Sequence, residues 1–132
     1  MSEKTVYLDN NATTMVDPQV FEAMKPYFCD LYGNPSSMHE FGGQVMRAVD
    51  KAREQVKDFL GARDAKEIIF TASGSEGDNM AIRGVLEANK NKKHIITTKI
   101  EHPAVLNVYK YLEKQGYDVT YLDVDSKGNL DL

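Results

Sequence analysis

Apolar positions recur along this chain in two rhythms. Val45, Val49, Ala52, Val56 and Phe59 keep the three-and-four spacing of an amphipathic helix, with Arg47, Lys51, Glu54, Lys57 and Asp58 on the opposite face. That spacing predicts a helix from about Gly43, stopped by Gly61. Met80, Ile82, Val85 and Leu86 fall on one helical face before Asn89. Val105, Leu106, Tyr109 and Leu112 do the same in a helix with Pro103 at its start and Gly116 past its end. Asp17-Pro18 is a further helix start; that helix carries Val20, Phe21, Met24 and Tyr27 inward and frays near Pro26. Between these lie short β-forming runs: residues 5–8, 68–70 (IIF), His94–Thr98 (HIITT) and 118–125 (DVTYLDVD), the last followed by an SKGN turn. The polar segments DNNATT at 9–14 and YGNPSSMHEFGG at 32–43 are predicted to be irregular. Strands alternating with helices predict parallel βαβ units, in which ligands gather beyond the carboxyl ends of the strands.

The stretch from Glu67 to Asn89 carries the most chemistry. An apolar run leads through ASGSEGDN into a helix, and a helix start of small residues presents unpaired N–H groups to an anion. Gly74 lets a ligand approach the backbone, and the Ser73 and Ser75 hydroxyls add donors. Ser73 and Glu76 also have capping-box spacing, so phosphate binding and a plain helix cap both stand; a bound phosphate requires Glu76 and Asp78 to point away from it. G-x-G-x-x-G, G-x-x-x-x-G-K-[ST] and G-x-S-x-G are all missing from the sequence. His102 follows the HIITT strand and shares the predicted strand-end edge with the Gly74-Ser75 turn; a helix-start residue before Pro103 explains it equally well. His39 fits a loop surface, and Cys29 an incidental thiol with no activating base nearby in the sequence.

Composition narrows the class without naming it. A chain of 132 residues is enough for one modest domain, and a formal charge of −4 argues against nucleic acid and anionic membranes as partners. No apolar run reaches membrane-spanning length, the first residues lack the apolar core of a signal peptide, and one cysteine fits a reducing compartment, so a cytoplasmic location is expected. Three scattered histidines and a single cysteine give no metal-ligand spacing, and no metal is expected.

Four motifs in order, YLDNNATT, YGNPSSMH, IIFTASGSEGDNMAI and HIITTKIEHPAVL, resemble cysteine desulfurases of the NifS/IscS type, within the class V, fold-type I pyridoxal-phosphate enzymes. The likeness runs over essentially the whole chain. It implies an α/β fold: an incomplete three-layer α/β/α large domain with a mainly parallel sheet, residues 1–15 forming an N-terminal arm and 16–132 the N-terminal part of the cofactor-binding domain. It implies pyridoxal 5'-phosphate as cofactor, with its phosphate at Gly74 and Ser75 and the His102 ring stacked on its pyridine ring, where it assists proton transfer. Asn11, Ala12 and Thr13 match a segment that folds near the active site, and His39 is a further candidate to line it. Where the family often has Ala-Thr or Gly-Thr at the phosphate turn, this chain has Gly74-Ser75, which keeps a hydroxyl.

The resemblance implies conversion of L-cysteine to L-alanine, with sulfur leaving as an enzyme persulfide for an iron–sulfur scaffold or another acceptor, in a protein that is a homodimer at full length. The family's cofactor-carrying lysine lies in Ser-x-His-Lys, and this chain has no His-Lys pair. Its catalytic cysteine motif is also missing, and Cys29 does not fill the gap. The chain therefore resembles roughly the first third of such an enzyme and is expected to be inactive and association-prone alone. Two alternatives stand beside this: another class V enzyme (a selenocysteine lyase or an aminotransferase), and a non-catalytic phosphate-binding βαβ module.

Overall fold

A computed structural model describes residues 5–130, which fall into two compact units, up to Ile68 and from Ile69 onward.

In the first unit, Asp17 caps helix α1 (Pro18–Met24) by accepting the Gln19 N–H at 2.7 Å. The helix breaks at Lys25 because Pro26 lacks the N–H to continue it, and a short helix α2 (Pro26–Cys29) follows. One helix was expected here with Val20, Phe21, Met24 and Tyr27 inward; all four are instead about half exposed. Residues 5–8 are exposed and unpaired rather than a strand.

Helix α3 (Glu40–Leu60) begins three residues earlier than the apolar spacing predicts. His39 is the reason: its Nδ1 accepts the Gly42 N–H at 3.3 Å and caps the helix. Underneath, the Asn34 carbonyl accepts the Ser37 N–H at 3.0 Å, and Asn34 Oδ1 the Ser36 N–H at 2.8 Å. This turn lies so close to α3 that a Cβ on Gly42 would come within 2.5 Å of the Ser37 carbonyl oxygen. Tyr32 and Phe41 meet edge to face, with centroids 5.3 Å apart. The YGNPSSMHEFGG segment is thus half loop and half helix start. Gly61 ends α3 in the left-handed conformation (φ 69°), as predicted.

A 3₁₀ turn (Ala65–Glu67) leads to the expected strand at 68–70, which does not form. Ile68 is extended, and its carbonyl accepts the Arg53 Nε–H at 3.2 Å. No strand among the described residues lies alongside it, and Ile69 is 63% exposed. Ile68 gives its carbonyl to a side chain, and β-forming composition alone does not make a strand.

The second unit runs helix α4 (Gly74–Ala88), strand β1 (His94–Thr98), helix α5 (Pro103–Lys114) and strand β2 (Asp118–Leu122). β1 and β2 pair in parallel, with His94 opposite Asp118 and Thr98 opposite Leu122. This is the βαβ unit predicted from the alternation, with the boundaries of β1 and α5 as expected. Val108 and Leu112 are 4% and 6% exposed, so they and Thr97 form this unit's buried centre. α4 packs on α5, with the Arg83 guanidinium 5.0 Å from the Tyr111 ring centre. Beyond β2, the Asp125 carboxylate gathers the N–H groups of Lys127 and Asn129 into a turn, and Val124 pairs with Leu130. Bonds from the Asn129 backbone, then its side chain, then the Lys127 backbone hold the Asp125 carboxyl below the usual range.

Candidate functional site

Ser73, extended at φ −159°, turns the chain into α4, and most of the hydrogen-bonding groups around that corner are already used. Ser73 Oγ accepts the Glu76 N–H at 3.2 Å, and the Ser73 carbonyl accepts the Gly77 N–H at 3.1 Å and the Thr71 hydroxyl at 3.0 Å. The Glu76 carboxylate reaches back to the Ala72 N–H at 2.7 Å. The capping arrangement expected from Ser73 and Glu76 therefore exists, with the return bond made to Ala72 rather than to Ser73.

Capping does not exhaust the helix start. The N–H groups of Gly74 and Ser75 have no protein acceptor among the described residues, and the Ser75 hydroxyl has no partner there. All lie at an exposed corner, and a Cβ added at Gly74 would meet nothing within 4 Å. Two orphan donors, a hydroxyl and open space at the positive end of a 15-residue helix are what an anionic group needs. The cap and the anion site are compatible, because they use different donors.

His102 opens α5, and its Nδ1 accepts the Ala104 N–H at 3.1 Å. That bond leaves Nε2 as the free ring nitrogen and assigns it the proton of the neutral imidazole. The connection before it is tied down on both sides. The Lys99 N–H donates to the Leu122 carbonyl at 3.0 Å, Lys99 Nζ lies 2.7 Å from Asp123, and the Thr98 hydroxyl donates to Glu101 at 3.0 Å.

An open groove of about 450 Å³ lies at the carboxyl edge of the strands, lined by Asp78 and Ile82 of α4, by Thr98 and Glu101, and by Val105 and Leu122. Asp78 is one turn past Gly74, and Glu101 adjoins His102, so the first turns of both helices open near one space. Ser75 and His102 do not themselves line it. The Asp78 side of α4 faces this groove, which the Gly74-Ser75 turn does not line. Asp78, Thr98 and Glu101 carry no motif of their own. Their one signal in the sequence is position, at a strand end and in the first turns of two helices.

The other candidates belong to the first unit. Asn11, Ala12 and Thr13 lie in an exposed turn closed by the Ala12 N–H on the Asp9 carbonyl at 3.1 Å. His39 is the cap of α3, and Cys29 is exposed at the end of α2. Among the described residues there is no His, Cys, Asp and Glu group suited to a metal, and no helix long and apolar enough to cross a membrane.

The second unit is a parallel βαβ frame whose helix starts crowd one edge, the layout of a ligand-binding α/β domain. The chain belongs to the class-V aminotransferase family, whose model matches residues 6–132. It is 66% identical over 127 residues to a cysteine desulfurase of Nostoc sp., a match covering 96% of this chain and 32% of that protein. Among solved structures it resembles a NifS-like protein with a TM-score of 0.85 at 44% identity, over 92% of this chain and 34% of that one. It also resembles SspA in complex with cysteine, with a TM-score of 0.80 at 43% identity, over 89% of this chain and 34% of that one. The chain thus spans about a third of the length of these proteins.

Proposed function

We propose that this chain supplies the N-terminal part of the pyridoxal-phosphate-binding domain of a cysteine desulfurase, with residues 1–15 as an arm and 16–132 within the large domain. The whole protein converts L-cysteine to L-alanine and hands sulfur on as an enzyme persulfide to an iron–sulfur scaffold or another acceptor. It works as a cytoplasmic homodimer. The 66% identity to a cysteine desulfurase favours that member of the family over a selenocysteine lyase, an aminotransferase or a non-catalytic module.

The observation that carries the cofactor assignment is the start of α4, where two N–H groups, one hydroxyl and open space are left over after the cap is complete. Gly74 and Ser75 would hold the phosphate through their backbone N–H groups, with the Ser75 hydroxyl as a third donor and the helix dipole adding to the attraction. The Glu76 carboxylate is engaged by the Ala72 N–H and takes neither of those donors. His102 would hold a proton at Nε2 and donate it from that free edge to a reacting group. When bound, pyridoxal phosphate supplies an electron sink for the carbanion formed at the substrate α-carbon. Asn11, Ala12, Thr13 and His39 are the remaining candidates to line the site.

A chimera tests the whole proposal. The matching third of the Nostoc cysteine desulfurase is replaced by this chain, and cofactor content and alanine release are measured. Retention of both is expected, with the isolated 132-residue chain releasing no alanine. A folded chimera that takes up no cofactor overturns the assignment.

A further inference from the structure

We infer that Glu101 is a positioning residue for His102, fixing the ring so that its proton sits on Nε2. The inference rests on the proposed role of His102 for its relevance, but not for its geometry.

The connection from β1 to α5 is short, and its restraints act at different points. At its start, the Lys99 N–H extends the parallel ladder by one bond to the Leu122 carbonyl, and the Lys99 ammonium is held 2.7 Å from Asp123. At its end, the Glu101 carboxylate takes the Thr98 hydroxyl at 3.0 Å. Thr98 is the last residue of β1 and Glu101 the residue before His102, so this one bond closes the turn from the strand end to the helix cap. Both side chains are partly buried and border the groove at the strand edge, whereas the Lys99–Asp123 pair is exposed. A charge-assisted bond sheltered from water resists opening better than an exposed ion pair.

Closing the turn sets the backbone of the next residue. His102 is extended (φ −60°, ψ 146°), and only from that conformation does its Nδ1 reach the Ala104 N–H. A ring nitrogen that accepts an N–H carries no proton itself, so the neutral ring is protonated on Nε2. Release of Glu101 frees the turn, loosens the Nδ1 bond and lets the other tautomer in. The free edge of His102 would then be a lone pair part of the time. Proton donation, the role proposed for this edge, depends on which form is present.

The test is spectroscopic and needs no cofactor. The chimera, free of cofactor, is labelled with ¹⁵N histidine, and the ring nitrogens of His102 are identified by their loss in His102→Gln. In the parent chimera, Nδ1 is expected at the frequency of an unprotonated nitrogen and Nε2 at that of a protonated one. Glu101→Ala and Thr98→Val, which break the strap from opposite ends, should each reduce the preference for Nε2–H about fivefold, the equivalent of one ordinary hydrogen bond. Glu101→Gln keeps an oxygen for the Thr98 hydroxyl and should restore the preference. His94 is the internal control, because its Nε2 lies 2.7 Å from the Thr120 hydroxyl, away from the strap. An unchanged ratio in Glu101→Ala or Thr98→Val overturns the inference, as does a Gln variant that behaves like Ala. A shift that carries His94 along reports general loosening and also overturns it. Failure of cofactor binding in the chimera would leave this result untouched, so the two proposals fail separately.

Discussion

Replacing Gly74 by alanine and by proline separates what the start of α4 does for the fold from what it does for a ligand. An added Cβ meets no atom within 4 Å, and Gly74 is not among the glycines with positive φ. The folded state therefore pays no steric cost, while the unfolded chain loses freedom, a balance of about 0.4–1 kcal/mol in favour of folding. For a domain of this size that is a rise of a few degrees in melting temperature. The resemblance puts alanine at this position in many relatives, so the methyl should leave a phosphate its place, whereas Gly74→Pro, with proline tolerated at the first helical position, removes one of the two N–H donors. Each bond from an N–H to a charged oxygen is worth about 1.5–3 kcal/mol, so losing one costs roughly tenfold to a hundredfold in affinity.

Binding of pyridoxamine 5'-phosphate is compared with that of pyridoxamine, by calorimetry, in the parent, Gly74→Ala and Gly74→Pro proteins. Neither compound can condense with a lysine, so the difference between them isolates the phosphate. The parent protein should favour the phosphorylated compound; Gly74→Ala should keep that preference with unchanged or improved thermal stability, and Gly74→Pro should lose at least about tenfold of it. A preference that survives the loss of the Gly74 N–H in Gly74→Pro refutes the amide grip. Destabilisation of Gly74→Ala by more than about 1 kcal/mol refutes the view that this corner is empty of protein.

Gly42 makes the opposite case: a Cβ there would lie 2.5 Å from the Ser37 carbonyl oxygen and 2.6 Å from that of Asn34, so Gly42→Ala should destabilise the first unit by about 1–3 kcal/mol in urea titration. Leu112→Ala, at a site 6% exposed, should cost about 2–5 kcal/mol, whereas Phe59→Ala, at a site 88% exposed, should change stability by no more than about 0.5 kcal/mol; denaturant midpoints compare them directly. Partial burial, together with the Glu113 carboxylate that accepts its hydroxyl at 3.0 Å, raises the Tyr121 phenol above its ordinary range. The neutral phenol is thus favoured in the folded state, so its contribution is complete below about pH 10 and is lost as pH rises through the raised value. Unfolding titrations from neutral to strongly alkaline pH should show a steeper alkaline loss for the parent than for Tyr121→Phe.

What could be learned from the sequence depended on whether a residue's partners were local. β1, α5 and the Gly61 stop follow from spacing and caps within a few residues, and each stands where the pattern put it. The run at 68–70 is β-forming, as β1 is, and it is β1 that forms a parallel ladder with β2. Strand propensity describes a surface that suits a sheet, and a sheet needs a second strand. The inward face expected of α1 failed for a related reason: Val20 and Phe21 have the right spacing, but spacing does not say what lies opposite.

The motifs carried by the resemblance divide in the same way. YGNPSSMH does its visible work as a clamp, with His39 capping α3 and the Asn34 turn pressed under Gly42, and that much is a matter of packing. The Ser73–Glu76 spacing announced a cap, and the cap is there, but no spacing rule says that Gly74 and Ser75 keep their N–H groups after it is made. They stay available because the cap takes up the N–H groups of Ala72, Glu76 and Gly77 instead. The Thr98–Glu101 strap was the least visible, because neither residue belongs to a chemical pattern until the strand end and the helix cap are placed four residues apart. A helix start becomes a binding site when its cap leaves donors over, and that surplus has to be counted bond by bond.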